Sequence, residues 1–99
     1  MRAPEQRKSR RFELKLPVEL VRRSGQTVCE SGETRNLSSG GVLFTSSVPV
    51  RVGDAIEYLI TLPHTAAGSI RLRCLGKVIR LEDDMTVAAT LERYEFMRH

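Results

Sequence analysis

The chain has no tryptophan, five phenylalanines and tyrosines in all, two histidines and two cysteines among 99 residues. Each scarcity narrows what it can do. His64 and His99 stand in no pairing with cysteine or aspartate, and no group of residues has metal-ligand spacing, so neither a metal centre nor histidine catalysis is expected. Ser38 and Ser39 have no local base, which leaves no hydrolase-like nucleophile; the chain does not read as an enzyme. Cys29 and Cys74 form no CxxC pair and are expected to be unpaired, partly buried thiols. No apolar run approaches the length of a membrane span, and the charged N-terminus lacks the apolar stretch of a secretory signal. A soluble, cytoplasmic protein without membrane insertion is therefore expected. Phe12, Phe44, Tyr58, Tyr94 and Phe96 are too few to make a convincing stacking platform for single-stranded nucleic acid.

Charge is present, and it is unevenly placed. The net charge is +4, and residues 1–11 hold five basic residues against one acid, whereas eleven bases balance eleven acids from residue 12 onward. All of the excess lies in the first eleven residues. This predicts a flexible basic arm, 1–11, on a balanced body, 12–99, and an anionic partner met by the arm. A length of 99 residues is enough for one modest core and too little for two.

The body reads in period two. Leu14, Leu16, Val18 and Leu20 alternate with Glu13, Lys15, Pro17 and Glu19, and Pro17 suggests a free edge or a bulge. Ser24-Gly25-Gln26 is a turn, and 27–36 is a polar strand with an irregularity at Ser31-Gly32. Val42 to Thr45 is a short strand, and Val48 to Asp54 is a loop. Ile56, Tyr58, Ile60 and Leu62 alternate, Pro63 to Ser69 reads as a loop, and Ile70, Leu72 and Cys74 alternate until Leu75-Gly76, where a bulge or corner fits. Glu82-Asp83-Asp84 is a charged turn, Val87 to Leu91 is a last strand, and 92–99 suits a short terminal helix. Six or so short strands with no internal repeat predict an all-β fold, one small antiparallel barrel, with a split sandwich as the alternative.

Two short motifs carry the chemistry. Arg7-Lys8-Ser9-Arg10-Arg11 places an arginine pair in the arm, with three residues between. Asn36-Leu37-Ser38-Ser39-Gly40-Gly41 is an Asn-x-Ser-x-x-Gly run at the head of an apolar strand. In this order the two resemble the signature of the PilZ domain, Arg-x-x-x-Arg followed by Asp/Asn-x-Ser-x-x-Gly, over about Gln6 to Glu95. That family is known as a bacterial receptor for cyclic di-GMP. The resemblance implies a six-stranded antiparallel split barrel with a C-terminal helix. It also implies Arg7, Arg11, Asn36, Ser38 and Gly41 as ligand-binding positions.

The residue types suit that ligand. A guanidinium forks onto phosphate oxygens, pairs with O6 and N7 of guanine and stacks on its face. The four-residue step puts Arg7 and Arg11 on one side of a helix or of a strand. The Asn36 carbonyl can accept from a guanine amide edge, and the Ser38 hydroxyl can donate or accept, on the same face as Asn36 if both lie in a strand. Gly40 and Gly41 remove bulk and permit positive φ. Asn in place of Asp removes a carboxylate, which is expected to lower affinity. The reading is a cyclic di-GMP receptor with no cofactor, whose ligand orders the arm over the barrel and alters a surface read by a downstream effector protein. The alternatives are a PilZ-like adaptor of motility or pilus machinery that binds no nucleotide and, further off, a small nucleic-acid-binding barrel.

Overall fold

A computed structural model describes residues 15–65, 68–83 and 85–98. Every regular element among them is a strand: β1 (Pro17–Arg23), β2 (Gln26–Leu37), β3 (Gly41–Thr45), β4 (Ala55–Thr65), β5 (Gly68–Asp83), β6 (Thr86–Thr90) and β7 (Arg93–Arg98). All pairings are antiparallel. The first six lie in the order β4-β1-β2-β3-β6-β5, and a β4–β5 pairing closes the ring. The expected all-β six-stranded barrel is therefore present, and β7 adds a seventh strand against β5 outside the closure.

The alternation seen in the sequence becomes the inside and outside of this barrel. Leu16 just ahead of β1, Val18 and Leu20 of β1, Ile56, Tyr58 and Ile60 of β4, and Leu72 and Cys74 of β5 face a core shared with Val42, Phe44, Val78, Val87 and Ala89. The Phe44 and Tyr58 rings stack with centroids 5.4 Å apart. Tyr58 donates its hydroxyl to the carbonyl of Thr90 at 3.0 Å, which satisfies its polar end inside the barrel. Burial raises its pKa, and burial also pushes the Cys74 thiol up to about 12. Both cysteines are free; Cys29 is exposed and Cys74 buried. The β1–β2 hairpin closes on Ser24 and Gly25 at φ 49° and 84°, the paired left-handed conformation that matches strand twist in a two-residue turn.

Two strands are long because they serve two sheets. The first part of β2 pairs with β1 and its last residues pair with β3; likewise β5 pairs first with β4 and β7 and then with β6. At each crossing a glycine meets the last residue of a short strand. A Cβ on Gly32 would lie 2.0 Å from the Thr45 carbonyl oxygen, and one on Gly76 would lie 1.9 Å from that of Thr90. The next residue then donates its backbone N–H to the same threonine's hydroxyl, Glu33 to Thr45 at 3.0 Å and Lys77 to Thr90 at 2.9 Å. The two crossings share the glycine, the intruding threonine carbonyl and the bond to the threonine hydroxyl. They relate β1–β3 to β4–β6 by an approximate two-fold axis that the sequence, which shows no repeat, does not announce.

Several local expectations are corrected. Pro17 is neither at an edge nor in a bulge: it is the first residue of β1, which runs between β2 and β4. The β1 irregularity lies instead between Leu20 and Arg22, where Cys29 on β2 takes φ 52°. Gly32 is a crossing and not an irregular pair, since the register runs unbroken from Pro17↔Glu33 to Leu20↔Glu30. Of the two alternatives at Gly76, bulge or corner, the corner is found, because β4 and β5 stay in register through it. The expected loop from Pro63 to Ser69 is mostly strand, with β4 reaching Thr65 and β5 starting at Gly68. The expected terminal helix over 92–99 is replaced by β7. Its cause is the row across it: Arg73 of β5 holds Glu57 of β4 at 2.7 Å and Glu95 of β7 at 2.8 Å, while Leu72 and Cys74 stand opposite Phe96 and Tyr94. Good helix formers at 92–98 yield to an open strand flank with a matching charge and apolar order.

Two predictions follow from these contacts. Gly32→Ala and Gly76→Ala should each lower stability by more than about 2 kcal/mol in urea unfolding, whereas Gly40→Ala, which meets nothing within 4 Å, should leave the midpoint nearly unchanged. Asp54 accepts from the Arg51 backbone N–H at 2.8 Å and from the Ser24 hydroxyl at 3.0 Å, which holds its carboxyl below its ordinary 3.8. Its contribution is present above pH 3.8 and is lost as pH falls through the lower folded value. Asp54→Asn should therefore lower Tm at neutral pH, and the gap from wild type should narrow in scans taken below about pH 4.

Candidate functional site

The Asn36–Gly41 run occupies the end of β2, a tight turn and the start of β3. What aims it is a bulge. Thr34 pairs with Phe44 but Asn36 pairs with Leu43, so Arg35 is an extra residue on β2. Thr34 is buried, and two residues further an unbroken strand would point Asn36 inward as well. The extra residue reverses the parity: Leu37 goes in with Val42, against the core, and Asn36 comes out with Leu43.

A second bulge mirrors the first on the far flank. Between Val78 and Arg80, β5 carries Ile79 as its extra residue against β6, so Arg80 pairs with Ala88. Leu43 in turn pairs with Ala88. One outer row thus crosses four neighbouring strands: Asn36, Leu43, Ala88, Arg80. These four residues, with Ile79 and the Ser38–Gly41 turn, line an open cleft of about 310 Å³. Ile79 is half exposed beside it. Arg80 donates from Nε to Glu82 at 2.7 Å and also bonds it through Nη2. Its guanidinium is held at the cleft, and an incoming anion would compete with Glu82 for it.

The turn itself is closed by Ser38. Its backbone N–H donates to the Gly41 carbonyl at 3.0 Å, its hydroxyl donates to the same carbonyl at 3.3 Å, and it accepts from the Gly40 N–H at 3.3 Å. Leu91 N–H donates to the Gly40 carbonyl at 3.2 Å, tying the turn to the chain after β6. Ser38 would share the face of Asn36 only if both lay in a strand; it sits one residue past β2, with its hydroxyl committed to the turn. Neither Gly40 nor Gly41 has positive φ. Gly41 is required for a different reason, since a Cβ there would lie 2.9 Å from the Ala89 carbonyl of β6.

Of the five positions read from sequence, Asn36, Ser38 and Gly41 come together at this cleft, while Arg7 and Arg11 lie outside the described residues. Leu43, Ile79 and Arg80 were missed. The trace of the last two is the run Val78-Ile79-Arg80-Leu81, where two adjacent apolar residues break the alternation as a bulge would. Among the described residues no cluster of histidine, cysteine, aspartate and glutamate suits a metal ion, and no helix is long and apolar enough to cross a membrane.

The described residues thus form a small closed antiparallel barrel whose motif turn opens beside an outer cleft holding one guanidinium, that of Arg80. The PilZ domain family matches residues 5–96, and the chain belongs to it. The family is one of cyclic di-GMP receptors and adaptor domains, and no catalytic family is indicated. Among curated proteins no match is found.

Removing the Ser38 hydroxyl should loosen the turn: Ser38→Ala is expected to lower stability by about 1 kcal/mol in denaturant unfolding. Asn36→Ala, on the outer row, should leave the unfolding midpoint within about 0.5 kcal/mol of wild type.

Proposed function

We propose that the protein is a receptor for cyclic di-GMP, acting as a binding and not a catalytic domain, in the cytoplasm. Its arm is residues 1–11 and its barrel is residues 12–99. The observation that carries this reading is the complete signature, with its Asn-Ser-Gly half set on a cleft that already holds a guanidinium, that of Arg80. Asn36 accepts from the amide edge of a guanine, the Gly40-Gly41 backbone lets a base or phosphate come close, and Ser38 holds that backbone in shape. Arg7 and Arg11 fork onto the phosphates and guanine edges from the opposite side. Leu43, Ala88 and Ile79 give a base an apolar surface to lie on.

Closing the arm over the ligand costs about 2–5 kcal/mol in ordering. Micromolar affinity, about −8 kcal/mol net, is within reach of two bidentate arginines with a third already in place. The closed arm changes the surface around the cleft, and a downstream effector protein reads that change.

Calorimetry with cyclic di-GMP tests this directly. Wild type should bind at micromolar protein, and the Arg7→Ala/Arg11→Ala pair should abolish the heat. Asn36→Ala should weaken binding by about tenfold with its fold intact. No heat with wild type would refute the receptor reading and leave an adaptor that binds protein without nucleotide, and undiminished heat with the arginine pair removed would refute the clasp of Arg7 and Arg11.

A further inference from the structure

The outer row of the cleft lies across the barrel's approximate two-fold. Leu43 pairs with Ala88 at its middle, Asn36 lies beyond Leu43 and Arg80 beyond Ala88, each one residue past a bulge. The two ends therefore have like backbones and unlike side chains. Three strand spacings separate them, about 14 Å between Cα atoms, which is wider than one base and suits a ligand that carries two. A ring of two nucleotides has that form, and each half of it meets one half of the barrel.

Arg80 is arranged to read a base more than a phosphate. Its Nε and Nη2 both donate to one oxygen of Glu82, which occupies a single edge of the guanidinium. The other edge, with parallel N–H groups on Nη1 and Nη2, has no partner among the described residues. The Glu82 charge offsets that of Arg80, so a phosphate must displace it to gain much there. A neutral base takes the free edge with Glu82 still in place. That edge offers donors only. Guanine answers with two acceptors, O6 and N7, whereas adenine sets its N6 donor against one of them. Arg80 therefore tells the two purines apart.

Asn36 does not. Its side-chain amide is half-buried at the far end of the row and makes no hydrogen bond to the described residues. It carries a donor and an acceptor together. It can pair with N6 and N7 of adenine, or with O6 and the N1–H of guanine.

We infer that the cleft reads the two bases of its ligand with unequal stringency, Arg80 taking guanine alone and Asn36 taking either purine. The class of ligand is then wider than cyclic di-GMP. It includes the mixed ring of one guanine and one adenine nucleotide, held with its guanine at Arg80, and it excludes cyclic di-AMP. This rests on the proposed receptor role, which supplies a ring with two bases. It also gives Asn in place of Asp a consequence. A carboxylate only accepts; it would hold the N–H groups of guanine, oppose the ring nitrogen of adenine, and so close the tolerant end.

Calorimetry of the full chain with the three rings is the test. Wild type should bind cyclic di-GMP and the mixed ring within about threefold of each other, and cyclic di-AMP about thirtyfold more weakly. Arg80→Lys keeps the charge and loses the fork. It should weaken the first two rings about tenfold and leave cyclic di-AMP where it was, so that the gap closes to about threefold. Asn36→Asp should hold cyclic di-GMP and drop the mixed ring by about tenfold. Circular dichroism and the urea midpoint should be unchanged in both variants. A mixed ring bound as poorly as cyclic di-AMP by wild type, or a selectivity that Arg80→Lys leaves intact, would overturn the unequal reading while the receptor role stood. A wild type that binds none of the three rings would refute the receptor role and the unequal reading with it.

Discussion

The barrel hangs on two contacts in which a threonine carbonyl occupies the space where a side chain would begin. At Gly32 and at Gly76 a long strand leaves one sheet and enters the other, and the backbones come closer than any Cβ permits. The threonine that intrudes also turns its hydroxyl to the next backbone N–H, so the crossing loses no hydrogen bond. At the second crossing the same carbonyl accepts from Tyr58, which joins the corner to the largest side chain of the core. Closure, core packing and the separation of the two sheets all follow from these two places.

The site follows from them one step later. Two residues beyond each crossing the strand reaches an inward position, Thr34 or Val78, and then a bulge. Because the bulges at Arg35 and Ile79 correspond under the approximate two-fold, Asn36 and Arg80 emerge at the two ends of one outer row with Leu43 and Ala88 between them. The cleft is thus a product of the barrel's internal symmetry. Irregular pairing is what turns a smooth barrel wall into a surface with a polar group and a cation facing each other.

Much of this was legible in the residues and some was not. The strands were readable because one face of each is buried, which imposes period two on Leu16 to Leu20, Ile56 to Ile60 and Ile70 to Cys74. The motif turn was readable because serine and glycine at those offsets have a local task, closing the turn through Ser38. Gly32 and Gly76 were noticed as irregular, but their reason is a carbonyl far away in the chain, and local pattern cannot carry it. Arg80 was missed on the same ground: it joins Asn36 only through two intervening strands. The terminal strand was misread because Glu, Arg and Met favour helix in isolation, whereas the flank of β5 and the carboxylate-hungry Arg73 decide the matter in the fold.

The two halves are not equal where they meet solvent. The β2–β3 turn is closed by Ser38, whose side-chain oxygen accepts from the N–H two residues on; the β5–β6 turn is closed in the same way by Asp83, accepting from Met85 at 2.8 Å. That N–H, followed by the side-chain bond from Thr86, holds the Asp83 carboxyl below its ordinary range, so it stays charged through neutral pH. Two turns of one design therefore differ in charge: the one at Ser38 is neutral, and its counterpart carries a fixed negative charge at Asp83 that would repel an anion.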